Sequence, residues 1–184
     1  MTRTVYYTAT SLDGFLADEN DSLDWLDSQL MDEHGPMNYG DFIVDIGAMA
    51  MGAATYCWVR DQLAVSGEKW PYDIPSWVFT HRDLTAIADG ITFTSAPISE
   101  VHAAMSAAAN GRSLWIAGGG DLAAQFAALG LLDEVIVSIA PVTLGAGRPL
   151  FGRRWDLDLL EYNRNGAFLC ARHAVRPPAL TELP

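Results

Sequence analysis

Lysine is almost missing from this chain. Lys69 is the single one, and Lys and Arg together number 11 against 23 Asp and Glu, for a net charge of −12. A surface with that balance repels a phosphate backbone, so no nucleic-acid partner is expected. A phosphorylated small molecule would need cations placed locally. Arg82, Arg148, Arg153 and Arg154 are the candidates, each with solvated surface charge as its alternative role. Cysteine is scarce as well: Cys57 and Cys170 lack metal-ligand spacing and read as two reduced thiols of a cytoplasmic protein. His34, His102 and His173 show no ligand spacing either, so no metal is expected. Asp18-Glu-Asn-Asp21 with Asp24 resembles half of a calcium loop, but the required glycine and glutamate are missing, which leaves a solvated loop rim. Apolar runs are all interrupted well short of the roughly 18 residues that a membrane helix needs. Nothing at the start reads as a leader, since a strand-like segment begins at once.

What is present is ample core material. Of 184 residues half are hydrophobic, with six Trp, seven Phe and six Tyr, enough for one domain over residues 1–176 followed by a loose tail, 177–184. Segments of strand and helix character alternate. Thr4–Thr10 is β-branched and aromatic, as a strand should be, and leads into the loop Ser11-Leu-Asp-Gly-Phe-Leu-Ala-Asp18. An acidic irregular stretch runs to Pro36, followed by a short helical pattern around Tyr39 and Phe42. Ala48–Met51 reads as a buried strand opening into Gly52-Ala-Ala-Thr-Tyr56, and residues 61–75 as a second irregular region. Trp77–Thr80 and Ile91–Thr94 are short strands, and Ser99 is placed to cap a helix that stops at Asn110-Gly111. Later come a strand at 134–140 and a hairpin, 157–162 and 168–175, turned through Asn165-Gly166. The pattern predicts an α/β fold with a mixed, mostly parallel sheet and a C-terminal antiparallel hairpin.

The chemistry concentrates at Gly118-Gly119-Gly120, between the apolar run Ser113–Ala117 and the helical stretch Asp121–Leu129. A strand that enters a turn without side chains and then a helix start exposes N–H groups suited to a diphosphate or another anion. Gly118-x-Gly120-x-x-Ala123 satisfies the dinucleotide fingerprint, but the acid expected at the end of the next strand is missing; Asp133 and Glu134 stand at its beginning. A tight turn with close helix–sheet packing is the alternative. Ligands of open α/β sheets gather beyond the carboxyl ends of strands. Three segments that follow strands therefore form one group: Gly52–Tyr56, Thr80-His81-Arg82 and Gly118–Leu122. Asp121 reads as a helix cap rather than a ligand contact.

Four motifs occur in order: Ser11-Leu-Asp-Gly14, Met51-Gly-x-x-Thr-Tyr56, Ile116-Ala-Gly-Gly-Gly120 and Pro141-Val-x-Leu-Gly-x-Gly-x-Pro-Leu-Phe151. Over residues 3–175 the chain resembles the dihydrofolate reductase-like superfamily, in the branch of the riboflavin-biosynthesis reductase domain. The resemblance implies a three-layer α/β/α fold and a homodimeric, NADPH-dependent reductase of a pterin-like, 5-amino-6-(5-phosphoribosylamino)uracil-like or other imine or carbonyl compound. It implies that Gly118, Gly119, Gly120 and Leu122 hold the diphosphate and nearby ribose. Gly52 and Thr55 would approach from the neighbouring strand, while Thr80, His81 and Arg82 would read the adenosine 2′-phosphate. Asp13 would orient substrate or relay a proton, with a turn aspartate as the alternative. Asp41 and Asp45 are possible analogues of the acid used by folate-type members, and Trp25, Tyr39 and Tyr56 could supply a flat wall for a heterocycle. Phe15 stands where riboflavin-pathway reductases commonly carry lysine, and the chain has no zinc-deaminase motif. The other function class is a non-catalytic, dimeric nucleotide-binding protein that kept the cofactor site alone.

Overall fold

The computed structural model describes residues 2–177; all but the first residue of the expected tail lies outside them. The strands are β1 (Thr4–Thr10), β2 (Phe15–Ala17), β3 (Ile46–Gly52), β4 (Ser76–Phe79), β5 (Ile91–Thr94), β6 (Ser113–Gly118), β7 (Glu134–Ile139), β8 (Arg148–Pro149), β9 (Leu157–Asn165) and β10 (Phe168–Val175). Five helices intervene: α1 (Asp24–Asp27), α2 (Tyr39–Val44), α3 (Ala53–Ser66), α4 (Ile98–Ala108) and α5 (Gly120–Ala128). Eight strands form one sheet in the order β5-β4-β3-β6-β1-β7-β10-β9. From β5 to β7 every pairing is parallel, and the terminal hairpin adds two antiparallel strands. No helix among the described residues is long and apolar enough to cross a membrane.

Alternation along the central strands divides the core in two. Tyr6, Ala48, Ala50, Leu114, Ile116 and Val135 point to one face, against Val101 and Met105 of α4 and Leu122 and Phe126 of α5. Met49, Met51 and Trp115 point to the other, where Tyr56 of α3 and Phe42 of α2 pack. Central strands covered on both faces are apolar throughout, which is why Ile46–Met51 has no polar side chain.

Three local expectations are corrected. Residues 61–66 are not irregular, because α3 continues to Ser66 and ends at Gly67, whose left-handed φ of 76° lets its N–H reach the Leu63 carbonyl at 2.9 Å. Only Tyr56 of that helix is buried, so it carries no apolar stripe to announce itself. Ser99 does not cap α4: the helix begins at Ile98 with Pro97 as the flanking residue, and no side chain caps it. Nor does Asp121 cap α5, whose flanking residue is Gly119.

The loop after β1 and the segment after β7 are zipped together, which the sequence did not announce. β2 pairs with β8, the Leu12 N–H reaches the Val142 carbonyl at 2.7 Å, and the Leu150 N–H reaches the Gly14 carbonyl at 2.9 Å. Arg148 adds a two-pronged pair with Asp21 at 2.6 and 2.9 Å. The resulting strap, residues 141–151, crosses the start of α5.

Candidate functional site

Strands β4, β3 and β6 are neighbours, so their carboxyl ends share one rim of the sheet. Gly52 is in register with Phe79, and Met51 with Gly118. The chain leaves this rim into α3, into Thr80–Arg82 and into α5. An added Cβ on Gly52 would stand 4.0 Å from the Gly119 nitrogen, and one on Gly118 would stand 2.8 Å from the Thr55 hydroxyl oxygen. Gly52, Thr55 and the triple-glycine bend therefore make a single patch, whose Gly118–Gly119 peptide is cis.

The three consecutive glycines have different causes. Gly118 has a φ of 156° and lies against Thr55, and Gly120 is buried beneath the Pro149 and Leu150 carbonyls of the strap. Either would be glycine without any ligand. Gly119 has an ordinary φ of −93°, and a Cβ there would meet nothing within 4 Å. Beyond its chain neighbours nothing packs against position 119, which leaves open space at the tip of α5.

That open space borders the first N–H groups of α5. The N–H groups of Leu122 and Ala123 reach the Gly119 carbonyl at 3.1 and 3.2 Å, and those of Gly120 and Asp121, the first of the helix, have no intrahelical acceptor and no side-chain cap. The first amides of a nine-residue helix, with no side chain capping them, suit an anionic group.

Beside the bend a cleft of about 490 Å³ opens between the tips of β4 and β5 and the helices α4 and α5. Thr80, His81 and Leu122 line it, together with Ile98, Gln125 and Arg153. Arg82 does not. Its N–H bonds the Thr80 hydroxyl at 2.9 Å in a local turn, and its side chain stands in solvent outside the cleft. The carboxyl rim thus carries the glycine patch of Gly52, Thr55 and Gly118–Gly120 next to a cleft lined by Thr80, His81 and Leu122, with Arg82 outside the cleft.

Asp13 is committed to the strap. Its carboxylate accepts the Ser11 hydroxyl at 2.6 Å, the Gly145 N–H at 2.7 Å and the Leu144 N–H at 3.1 Å. The Ser11 hydroxyl and these amides hold its pKa down to about 2. At neutral pH only about one molecule in 10⁵ carries a proton there, so Asp13 positions a loop and is a poor proton donor. The alternative of a turn aspartate was half right, since the amides that it binds belong to the distant 144–145 bend rather than to Gly14.

The other candidates separate. Tyr56 is fully buried, its hydroxyl donates to the Thr85 carbonyl at 2.7 Å, and its ring packs edge-on to Phe93 at 5.2 Å. It is a core residue and no substrate wall. Trp25 packs with Ala140, Phe168 and Cys170 at the other side of the sheet. From β4 to β7 is four strand spacings, about 19 Å at about 4.8 Å each, so Trp25 and Tyr56 cannot flank one ring. Tyr39 is the accessible member, 41% exposed, 5.9 Å from Trp115 and 6.3 Å from Tyr7. Tyr72 joins the same aromatic group, 5.6 Å from Trp115, a neighbour that no local spacing could reveal. Asp41 and Asp45 line a second cavity of about 410 Å³ with Arg3, Ser113 and Glu134, at the amino ends of the strands. They stand at the rim opposite the glycine bend, which removes them as its acid. Asp133 and Glu134 are at that far rim too, bonded to the Thr4 N–H and to Arg3.

A doubly covered, mostly parallel sheet with a glycine bend at its carboxyl rim and a C-terminal antiparallel hairpin defines a dihydrofolate reductase-like α/β protein. The comparisons narrow this. Residues 4–164 match the RibD C-terminal domain, and the chain belongs to that family, one of NADPH-using reductases. It is 35% identical over 153 residues to the uncharacterized protein YwjB of Bacillus subtilis (strain 168), covering 81% of this chain and 82% of that one. A Shewanella sp. PV-4 protein whose name connects it with riboflavin biosynthesis superposes with a TM-score of 0.77 at 23% identity, over 95% of this chain and 99% of that one. The Thermotoga maritima diaminohydroxyphosphoribosylaminopyrimidine deaminase/5-amino-6-(5-phosphoribosylamino)uracil reductase gives a TM-score of 0.63 at 16% identity, over 95% of this chain but only 57% of that one. These two superpositions concern the fold alone.

Proposed function

We propose that this protein is an NADPH-dependent reductase of a small heterocyclic, imine or carbonyl compound, pterin-like or 5-amino-6-(5-phosphoribosylamino)uracil-like. The observation that carries the reading is the open space at Gly119, flanked by the uncapped first amides of α5 at Gly120 and Asp121. The residues present fit the cofactor. Those amides, with Gly52 and Thr55 beside them, would hold the diphosphate, and the cleft at Thr80, His81 and Leu122 would take the adenosine end. When bound, NADPH supplies a hydride to the electrophilic carbon of a C=N or C=O bond and leaves as NADP⁺, while water supplies the proton to nitrogen or oxygen.

The chain's own residues do the rest. Asp13, as an anion, fastens the 144–145 bend and so fixes the strap whose carbonyls cover Gly120. Tyr39, beside Trp115 and the Tyr72 ring group, offers an aromatic surface to a planar substrate. Burial, with the neighbouring Tyr72, pushes the Tyr39 hydroxyl well above the usual tyrosine range, so it stays neutral at every physiological pH. The working unit of this proposal is a homodimer, which light scattering at twice 20.0 kDa supports and at the monomer mass removes.

Consumption of NADPH in the presence of a panel of imines and carbonyl compounds tests the reading; no turnover with any of them, despite cofactor binding, contradicts it. One observation favours the second class, a nucleotide-binding protein without catalysis. Asp13, Asp41 and Asp45, the acids considered as proton donors, are either tied up as an anion or on the far rim. Binding without turnover is the outcome that this second reading requires.

A further inference from the structure

Arg153 was one of four arginines held open for a phosphate, and the structure separates it from the rest. Arg148 is paired with Asp21 and Arg154 with Asp156, while Arg82 stands outside the cleft. Arg153 lines the cleft and, among the described residues, has no carboxylate partner. Its guanidinium carbon lies 5.2 Å from the centroid of the Trp155 ring, a cation–π contact, and Trp155 itself packs on the main core cluster. The side chain is thus steered by a fixed ring and keeps its donors free. The cleft around it is unusual for so acidic a chain. Arg153, His81, Thr80, Thr94, Ser95 and Gln125 supply its polar lining, and no Asp or Glu lines it among the described residues. A chain of net charge −12 that keeps every carboxylate out of one cavity and leaves an unpaired arginine at its wall has made that cavity fit for an anion.

We propose that Arg153, rather than Arg82, reads a phosphate monoester in this cleft, namely the adenosine 2′-phosphate of the cofactor, and so sets the preference for NADPH over NADH. The proposal rests on the reductase reading above, because it places the adenosine end of that cofactor in the cleft. The planar guanidinium can give two parallel N–H bonds to one phosphate, and the hydroxyls of Thr80 and Thr94 are near enough to the same cavity wall to add neutral donors. Leu122 lines the cleft from the first turn of α5, two residues beyond Gly120, so the cavity continues from the place proposed for the diphosphate.

Calorimetric titration of NADPH and NADH into the wild-type protein and into Arg153→Met, Arg154→Met and Arg82→Met decides the matter. Arg153 is exposed, so its replacement leaves the fold intact, which a thermal melt checks directly. The expected result is an NADPH dissociation constant raised about 10- to 100-fold by Arg153→Met, equal to about 1.4–2.8 kcal/mol. NADH affinity should change less than about twofold, the scale of a lost distant charge. Arg154→Met removes the same charge one residue away and should leave both cofactors within the same limit, and Arg153→Lys should restore part of the loss. Equal loss for both cofactors, no loss for either, or a selective loss in Arg82→Met overturns the assignment while leaving the reductase reading standing. A wild-type protein that binds neither cofactor overturns both.

Discussion

Replacing Gly119 by valine separates what the fold needs from what a ligand needs. The backbone there is extended, with a φ of −93° that a β-branched residue adopts freely, and the new Cβ would meet no atom within 4 Å. Stability should therefore change by less than about 1 kcal/mol, partly because a side chain restricts the unfolded chain more than glycine does. For a domain of this size that is a shift of at most about 2–4 °C in melting temperature. The valine methyl groups would instead occupy the open space beside the Gly120 and Asp121 amides. Losing one well-made charged contact to a phosphate costs about 1.5–3 kcal/mol, so NADPH affinity should fall about 10- to 150-fold. Gly120→Ala is the internal contrast: its methyl would run into the Pro149 and Leu150 carbonyls, backbone atoms of a strap that is fastened elsewhere. Overpacking of that kind costs about 1–3 kcal/mol, or about 2–12 °C. Melting curves and cofactor titrations on both variants read the two effects. Undiminished NADPH affinity in a folded Gly119→Val protein would refute the reasoning, because the one glycine that packing does not explain would then have no ligand to explain it.

Three further outcomes follow from the same geometry. Asp13 has a folded-state pKa of about 2 against an ordinary 3.8, so its contribution is complete above about pH 4 and is lost as the pH falls through 2. Asp13→Asn should flatten the acid-unfolding profile in that window and weaken cofactor binding at neutral pH through a looser strap; an unchanged acid limb removes the latch. Tyr56→Phe should cost about 1 kcal/mol through the lost bond to the Thr85 carbonyl and leave the substrate KM alone, and a raised KM would return Tyr56 to the site. Asn165, 1% exposed, accepts the Asp32 N–H and donates to the Asp32 and Pro36 carbonyls, so Asn165→Ala should cost about 1–3 kcal/mol and open the 32–36 segment to proteases. Protease resistance equal to wild type argues against that anchor.

Much of the fold was legible because its signals are local. β1 and β5 begin and end where β-branched and aromatic runs predict, and Asn110 and Gly111 stop α4 with positive φ values of 51° and 83°. The alternation of strand and helix sufficed for the mostly parallel sheet, though not for the order of its strands. α3 escaped because a helix that buries one residue shows no stripe, and its Arg60, Asp61 and Gln62 imitate a loop. β2 and β8 escaped because their partners lie more than a hundred residues apart, and strands of three and two residues carry no periodicity. At the site, the three strand ends were found through the carboxyl-rim rule, which depends on chain order. Distinguishing Gly119 from its neighbours required knowing what packs on each one. Separating Arg153 from Arg82 required knowing which of them lines the cleft, and separating Asp41 from the glycine bend required knowing which rim it reaches; both are fixed by the tertiary fold rather than by any local motif.

The central claim is that the uncapped amides at the start of α5 grip the cofactor, and amide-resolved NMR tests it most directly. Titrating NADPH into the uniformly ¹⁵N-labelled protein should give the largest shift changes at Gly119, Gly120 and Asp121, with smaller ones at Gly52, Thr80 and His81. Saturable binding that leaves those resonances still and moves a different set, such as the strand starts at Arg3, Ser113 and Glu134, would contradict the account.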